Sequence, residues 1–173
     1  MTSDVFTLLA KYNRGVNEKM NAFIQGLSDE EWNREFQGFF PSVRALCSHL
    51  YISDFNWLKR FGGLKKFTAL NDPLFDRSLS YKDTLFPGRD EYLAKRPELD
   101  LKFISLTAEI NNEDISKILK YTDSRGALVE RKFEAPLIQM FNHQTHHRGM
   151  ISLYLEFLGR ENDFSAIMPL VYD

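Results

Sequence analysis

PLIQMFNHQTHHRGMISLYLEFL, residues 136–158, with Gly159 directly after it, decides how this chain is read. Leu137, Met140, Gln144, His147, Ile151, Tyr154 and Leu158 recur at alternating steps of three and four. That rhythm is the buried stripe of an amphipathic helix. Pro136 stands at the start, where its missing N–H costs nothing, and Gly159 just past the end. The stretch therefore predicts a long helix packed against others.

Working outward, residues 118–133 break the rhythm. KILKY, the turn Asp123-Ser124-Arg125-Gly126 and ALVERKF predict a small β-hairpin. A lone hairpin is marginal in water, so it is expected to lie on the helices. Upstream, Leu99, Phe103, Leu106 and Ile110 predict a helix over about residues 90–111, with Pro97 forcing a kink or a later start. Residues 64–89 hold Asn71-Asp72-Pro73 and Pro87-Gly88 and keep no strong period. They read as a long excursion with one short helix, and loops of that length generally cover something. Another helix starts near Pro41 or Ser42, buries Val43, Leu46, Leu50, Trp57 and Phe61, and stops at Gly62-Gly63. The first helix spans about residues 2–27 on Phe6, Leu9, Val16, Met20, Phe23 and Leu27, with Asn13 interrupting the stripe. Ser28 and Glu31 form a capping box for a short turn after it. The tail, with Phe164, Ile167, Met168, Leu170 and Val171, is apolar enough to pack back. Four long amphipathic segments with irregular connections predict an all-α four-helix bundle plus a hairpin, in one domain over residues 1–173.

Composition narrows the function. The chain has 173 residues, 43% hydrophobic and 27% charged, as in ordinary globular domains. Lys and Arg number 22 against 24 Asp and Glu, for a net charge of −2. Without a basic excess, binding to nucleic acid phosphates has no electrostatic support. No stretch has the length and apolarity of a membrane span, and the N-terminus has no secretory pattern, so a cytoplasmic location is expected. The single cysteine, Cys47, can build neither a disulfide nor a thiolate cluster. It reads as a buried small hydrophobe.

The four histidines are His49, His143, His146 and His147. His143 and His147, four apart, share a helix face and can reach a common point. His143 and His146, three apart, are also compatible, but the stripe puts His147 inward, His143 beside it and His146 at the edge. His49 follows Leu46 by three residues and leans inward on its own helix. Three neutral imidazoles suit Zn, Ni or Fe(II) and leave a coordination position open. The competing reading is a helical histidine pair without metal, which is common. No HExxH pattern occurs, which weighs against a protease.

Other residues carry paired readings. Asp54 is a solvated helix acid or a partner of Arg148. Arg148 is an anion ligand or one half of an ion pair between helices. Gly149 permits close helix packing. Tyr51 and Tyr154 either lend hydroxyls to the site or are core aromatics.

Asn142-His143-Gln144-Thr145-His146-His147-Arg148-Gly149 resembles the signature of the DinB family, and residues 42–50 with Asp54 and Trp57 resemble that family's second helix. The resemblance runs over nearly the whole chain, including the hairpin and Gly159. It implies an up-down-down-up four-helix bundle with a mononuclear site whose ligands are His49, His143 and His147. It implies Ni, Zn or another divalent ion, a homodimer, and a small-molecule substrate. Some members of the family are thiol-dependent S-transferases or isomerases using low-molecular-weight thiols; others have no known activity. Met150 departs from the pattern, which often has Gln there. The expectations are thus a metal-dependent transferase or hydrolase, or else a non-catalytic metal-binding or stress-response bundle. A DNA-repair protein is a third reading, opposed by the charge.

Overall fold

The computed structural model describes residues 2–168; Leu170 and Val171 of the expected tail packing lie outside them. The chain is mostly helical with one two-stranded antiparallel sheet. In order come α1 (Ser3–Gln25), the short α2 (Asp29–Asn33), α3 (Val43–Phe61), α4 (Arg89–Glu109), the strands β1 (Ile118–Thr122) and β2 (Leu128–Lys132), and α5 (Glu134–Phe157). α1 packs on α4 and α5, and α3 packs on the same two helices. Phe6, Trp32, Phe55, Phe61, Phe103 and Phe133 are fully buried between them.

The ends of these elements follow from local chemistry. Ser28 Oγ accepts from the Glu31 N–H at 3.1 Å, and Glu31 Oε2 accepts from the Ser28 N–H at 2.7 Å, as the capping box requires. Arg160 then holds Glu31 from the far end of the chain, at 2.8 and 3.0 Å. Ser42 caps α3 by accepting from the Ala45 N–H at 3.1 Å. α5 ends in a Schellman turn: Gly159, at φ 76°, donates to the Glu156 carbonyl and Arg160 to that of Leu155, both at 2.9 Å. Glycine takes that left-handed backbone without the steric cost a side chain brings.

Two expectations change in detail. α4 starts at Arg89, not after Pro97, and continues unbroken past that residue, which lies on its exposed side, where water can replace the missing hydrogen bond. The excursion over residues 64–89 holds two short 3-10 turns, Thr68–Leu70 and Pro73–Asp76, instead of one helix. The hairpin is as read, with Tyr121 opposite Val129. Asp123 Oδ1 organises its turn by accepting from the N–H groups of Arg125 and Ala127 at 2.8 and 2.9 Å. Leu119 anchors it on the helices with no exposed surface. The tail returns through Phe164, which packs edge-on against Phe23 and whose carbonyl accepts from the Tyr12 hydroxyl at 3.2 Å. Met168 stays exposed.

The polar interruption at Asn13 has a cause. Asn13, Asn17, Asp54, Arg96, Asp100, Gln144 and Arg148 are all buried. Arg96 lies between two carboxylates, Asp54 at 2.6 Å and Asp100 at 2.5 Å. Asp100 also accepts from Asn17 at 2.9 Å and Asn13 at 3.4 Å, and Asn13 in turn accepts from Arg148. Two acids and two arginines thus make an electrically neutral cluster that ties α1, α3, α4 and α5 together. The solvated reading of Asp54 is therefore wrong. Burial pushes its carboxyl above the usual range, against the pull of Arg96. Its partner is Arg96, not Arg148.

Candidate metal centre

α5 carries His143 and His147 one turn apart, and α3 brings His49 to meet them. His49 Nε2 and His143 Nε2 are 3.0 Å apart. The ring centroids of His49 and His147 are 4.6 Å apart, and those of His143 and His147 4.3 Å. One nitrogen from each of the three lies within 4.8 Å of the others, so these three histidines could hold an ion. Four-coordinate zinc with bonds of about 2.0–2.1 Å holds its ligand nitrogens about 3.4 Å apart, a spacing that falls between the 3.0 Å of His49 and His143 and the 4.8 Å bound on all three. His146 is exposed and outside the cluster, as the helix phase predicted.

The electrostatics suit ligands. Burial, helped by the neighbouring imidazoles, lowers His143 to a pKa of about 4 and His147 to about 3. Burial also lowers His49. All three are neutral at physiological pH, the form that binds metal. His143 Nδ1 and His147 Nδ1 are buried without a hydrogen-bond partner, which is unusual unless an ion or water satisfies them.

Aromatic rings fix the histidines in place. Phe40, just before α3, packs on His49 at 4.4 Å and edge-on to His147 at 5.3 Å between centroids. Tyr154 sets Phe40: its hydroxyl donates to the Phe40 carbonyl at 2.8 Å. Gly38 allows this, since a Cβ there would come within 2.2 Å of the Tyr154 oxygen. Tyr81, from the long excursion, lies 6.1 Å from the His49 ring. Neither Phe40 nor Tyr81 stood out in the sequence, although the doublet Phe39-Phe40 before a helix start was a signal that could have been weighed.

His49 and His143 open into a cleft of about 620 Å³ whose walls include Phe39, Tyr81, Trp57, Arg60 and Gln139. Asp123 is the only Asp or Glu on that lining, among the described residues. One oxygen of Asp123 is already committed to the hairpin turn.

The remaining candidates fall outside the centre. Arg148 is buried and lies 5.3 Å from the centroid of the Tyr12 ring, donating to Asn13, to Gln144 at 3.4 Å and to Thr145 at 3.2 Å. It is neither an exposed anion ligand nor one half of a direct ion pair. Gly149 is exposed with open space beside it, so it does not serve close packing. Tyr51 lines a different cavity, beside Phe86. Cys47 is fully buried, and burial pushes its thiol far up, so it is no nucleophile. No helix among the described residues is long and apolar enough to cross a membrane.

The sequence model of the DinB family matches residues 1–164. Among characterised sequences, "Protein DinB" of Bacillus subtilis (strain 168) is 25% identical over 159 residues, 91% of this chain and 88% of that protein. With the match running over nearly the whole length, the chain belongs to the DinB family.

Proposed function

We propose that this protein is a metal-dependent enzyme whose mononuclear centre is held by His49, His143 and His147, with a coordination position open to the cleft. The observation that carries this reading is the convergence of three neutral imidazoles, two of which line an aromatic cleft. The ion is Zn, Ni or Fe(II), by the nitrogen-only ligand set. Bound there, a divalent ion supplies Lewis acidity and lowers the pKa of a water or thiol. The chain itself orients the imidazoles through Phe40 and Tyr154 and shields them with aromatic surface.

Transfer of a low-molecular-weight thiol to a small molecule is favoured over hydrolysis. Hydrolysis at such a centre usually draws on a nearby carboxylate base, and Asp123 is half committed elsewhere. A thiol brings its own nucleophile. The ring of helix contacts supports an up-down-down-up four-helix bundle in one domain, and a homodimer is part of the same reading. The alternative is a non-catalytic bundle with a structural ion.

Elemental analysis of purified protein tests the centre. One ion per chain is expected in wild type and in His146→Ala, and a loss in each of His49→Ala, His143→Ala and His147→Ala. Retention of metal by all three would overturn the ligand set. Cobalt-loaded protein then separates enzyme from structural site: its visible spectrum shifts with added 2-mercaptoethanol if a position is open, and stays fixed if the site is closed.

A further inference from the structure

His49, Ser53, Asn56 and Arg60 fall four, three and four residues apart along α3. Eleven residues return a helix to nearly the same face, about 16 Å along its axis. His49 and Arg60 therefore stand at opposite ends of one stripe, and both line the same cleft. Tyr81 spans the gap, with its ring near His49 and its hydroxyl 3.5 Å from Arg60 Nη1.

Arg60 is held as a binding group is held. Its guanidinium carbon lies 4.9 Å from the Trp57 ring centroid and 5.5 Å from that of Tyr121. Its Nε donates to the Thr122 carbonyl at 3.2 Å. These contacts fix the plane of the fork and leave Nη2 unused. Among the described residues no carboxylate lies within ion-pair distance of Arg60, whereas Arg14, Arg89, Arg96 and Arg160 each have one. Asp123, on the same cleft, turns an oxygen to its own loop. The N–H groups of Ala127 and Arg125 hold the Asp123 carboxyl below the usual range, and the Arg60 charge helps without reaching it as an ion pair. A fixed guanidinium without an ion-pair partner, between two aromatic faces, matches a carboxylate in geometry and charge.

Resting on the metal-centre reading, we infer that Arg60 is the specificity residue of this cleft. It takes the carboxylate of a small organic acid whose apolar body lies along Trp57, Tyr81 and Phe39. The reacting end of that acid then points to His49 and His143.

Trp57, in contact with Arg60, reports binding by its fluorescence whether or not metal is present. Phenylbutyrate and its neutral isostere phenylbutyramide are titrated into wild type, Arg60→Lys and Arg60→Gln, each metal-free and cobalt-loaded. Wild type is expected to prefer the acid over the amide by about tenfold, the worth of one charge-assisted pair at a half-exposed site. Arg60→Gln should erase that preference while cobalt uptake holds and the melting temperature falls by only a few degrees, from the lost contacts to Trp57, Tyr121 and Thr122, and Arg60→Lys should keep part of it. Equal binding of acid and amide by wild type, or an unchanged preference in Arg60→Gln, would overturn the inference. If wild type took up no cobalt, the metal-centre reading would fail, and the metal-free titration would still judge Arg60.

Discussion

Arg96→Met is the most informative change to the scaffold. The methionine fills similar volume but leaves Asp54 and Asp100, which are 0% and 2% exposed, without their cation. Breaking a buried pair this way costs about 3–5 kcal/mol, because an uncompensated charge stays inside. With total stability of about 5–15 kcal/mol, that is a large share. For a chain of this size the melting temperature should fall by roughly 6–20 °C at pH 7. The deficit should shrink in acid. The Asp54 carboxyl is already raised by burial, and losing Arg96 raises it further. A raised carboxyl contributes stability that is complete below its unfolded pKa and lost as pH rises through its folded one. The variant should therefore lie closer to wild type at pH 5 than at pH 7. Adding Asp54→Asn should recover more than half of the loss, since Asp100 and Arg148 then balance within the cluster. Circular-dichroism melts at both pH values measure all of this. A single variant within about 1 kcal/mol of wild type at pH 7, or a double variant no better than the single one, would refute the reasoning.

The histidines give a second pH dependence. With folded values of about 4 and 3 for His143 and His147 against 6.5 unfolded, metal-free protein should lose stability as pH falls from about 6.5 towards 4. Melts in chelator should show this slope flattened in the double variant His143→Ala/His147→Ala. Gly159→Ala should cost about 1 kcal/mol in a denaturant melt, from backbone strain alone, because φ is 76° and nothing crowds the added methyl. Tyr154→Phe should cost about 1 kcal/mol through the lost bond to the Phe40 carbonyl and weaken metal retention during dialysis. Native protein should leave Cys47 unreactive towards a chromogenic disulfide reagent, with full reaction only after unfolding in guanidinium.

Periodicity made the helices and the inward turn of His143 and His147 legible, because the stripe on α5 reports directly which face is buried. Turn chemistry did the same for the hairpin and for the ends of α2 and α5. The buried charges were not legible. Asp54 looks like any helix acid until Arg96, 42 positions later, is known to meet it, and Asn13 looks like a flaw in a stripe. Partners on different helices leave no local pattern. The same holds for the cleft, since Tyr81 and Arg60 reach it from a loop and from the far end of α3. Gly149 misled for the opposite reason: a helical glycine suggests close packing, yet this one faces open solvent.

The contact between His49 and His143 joins points 94 residues apart in the chain. That separation orders events in time. In an unfolded chain His143 and His147 are near neighbours and can pick up an ion weakly, whereas His49 arrives only when α3 and α5 have docked. At the proposed centre, the preference of an ion for the folded state would therefore come chiefly from His49, and binding to the unfolded pair would subtract from it. Loading of the proposed centre would then be a late step that follows assembly of the core, and a held ion would close a long loop, as a disulfide does in the chain-entropy picture. A chelator would untie it without cutting a covalent bond.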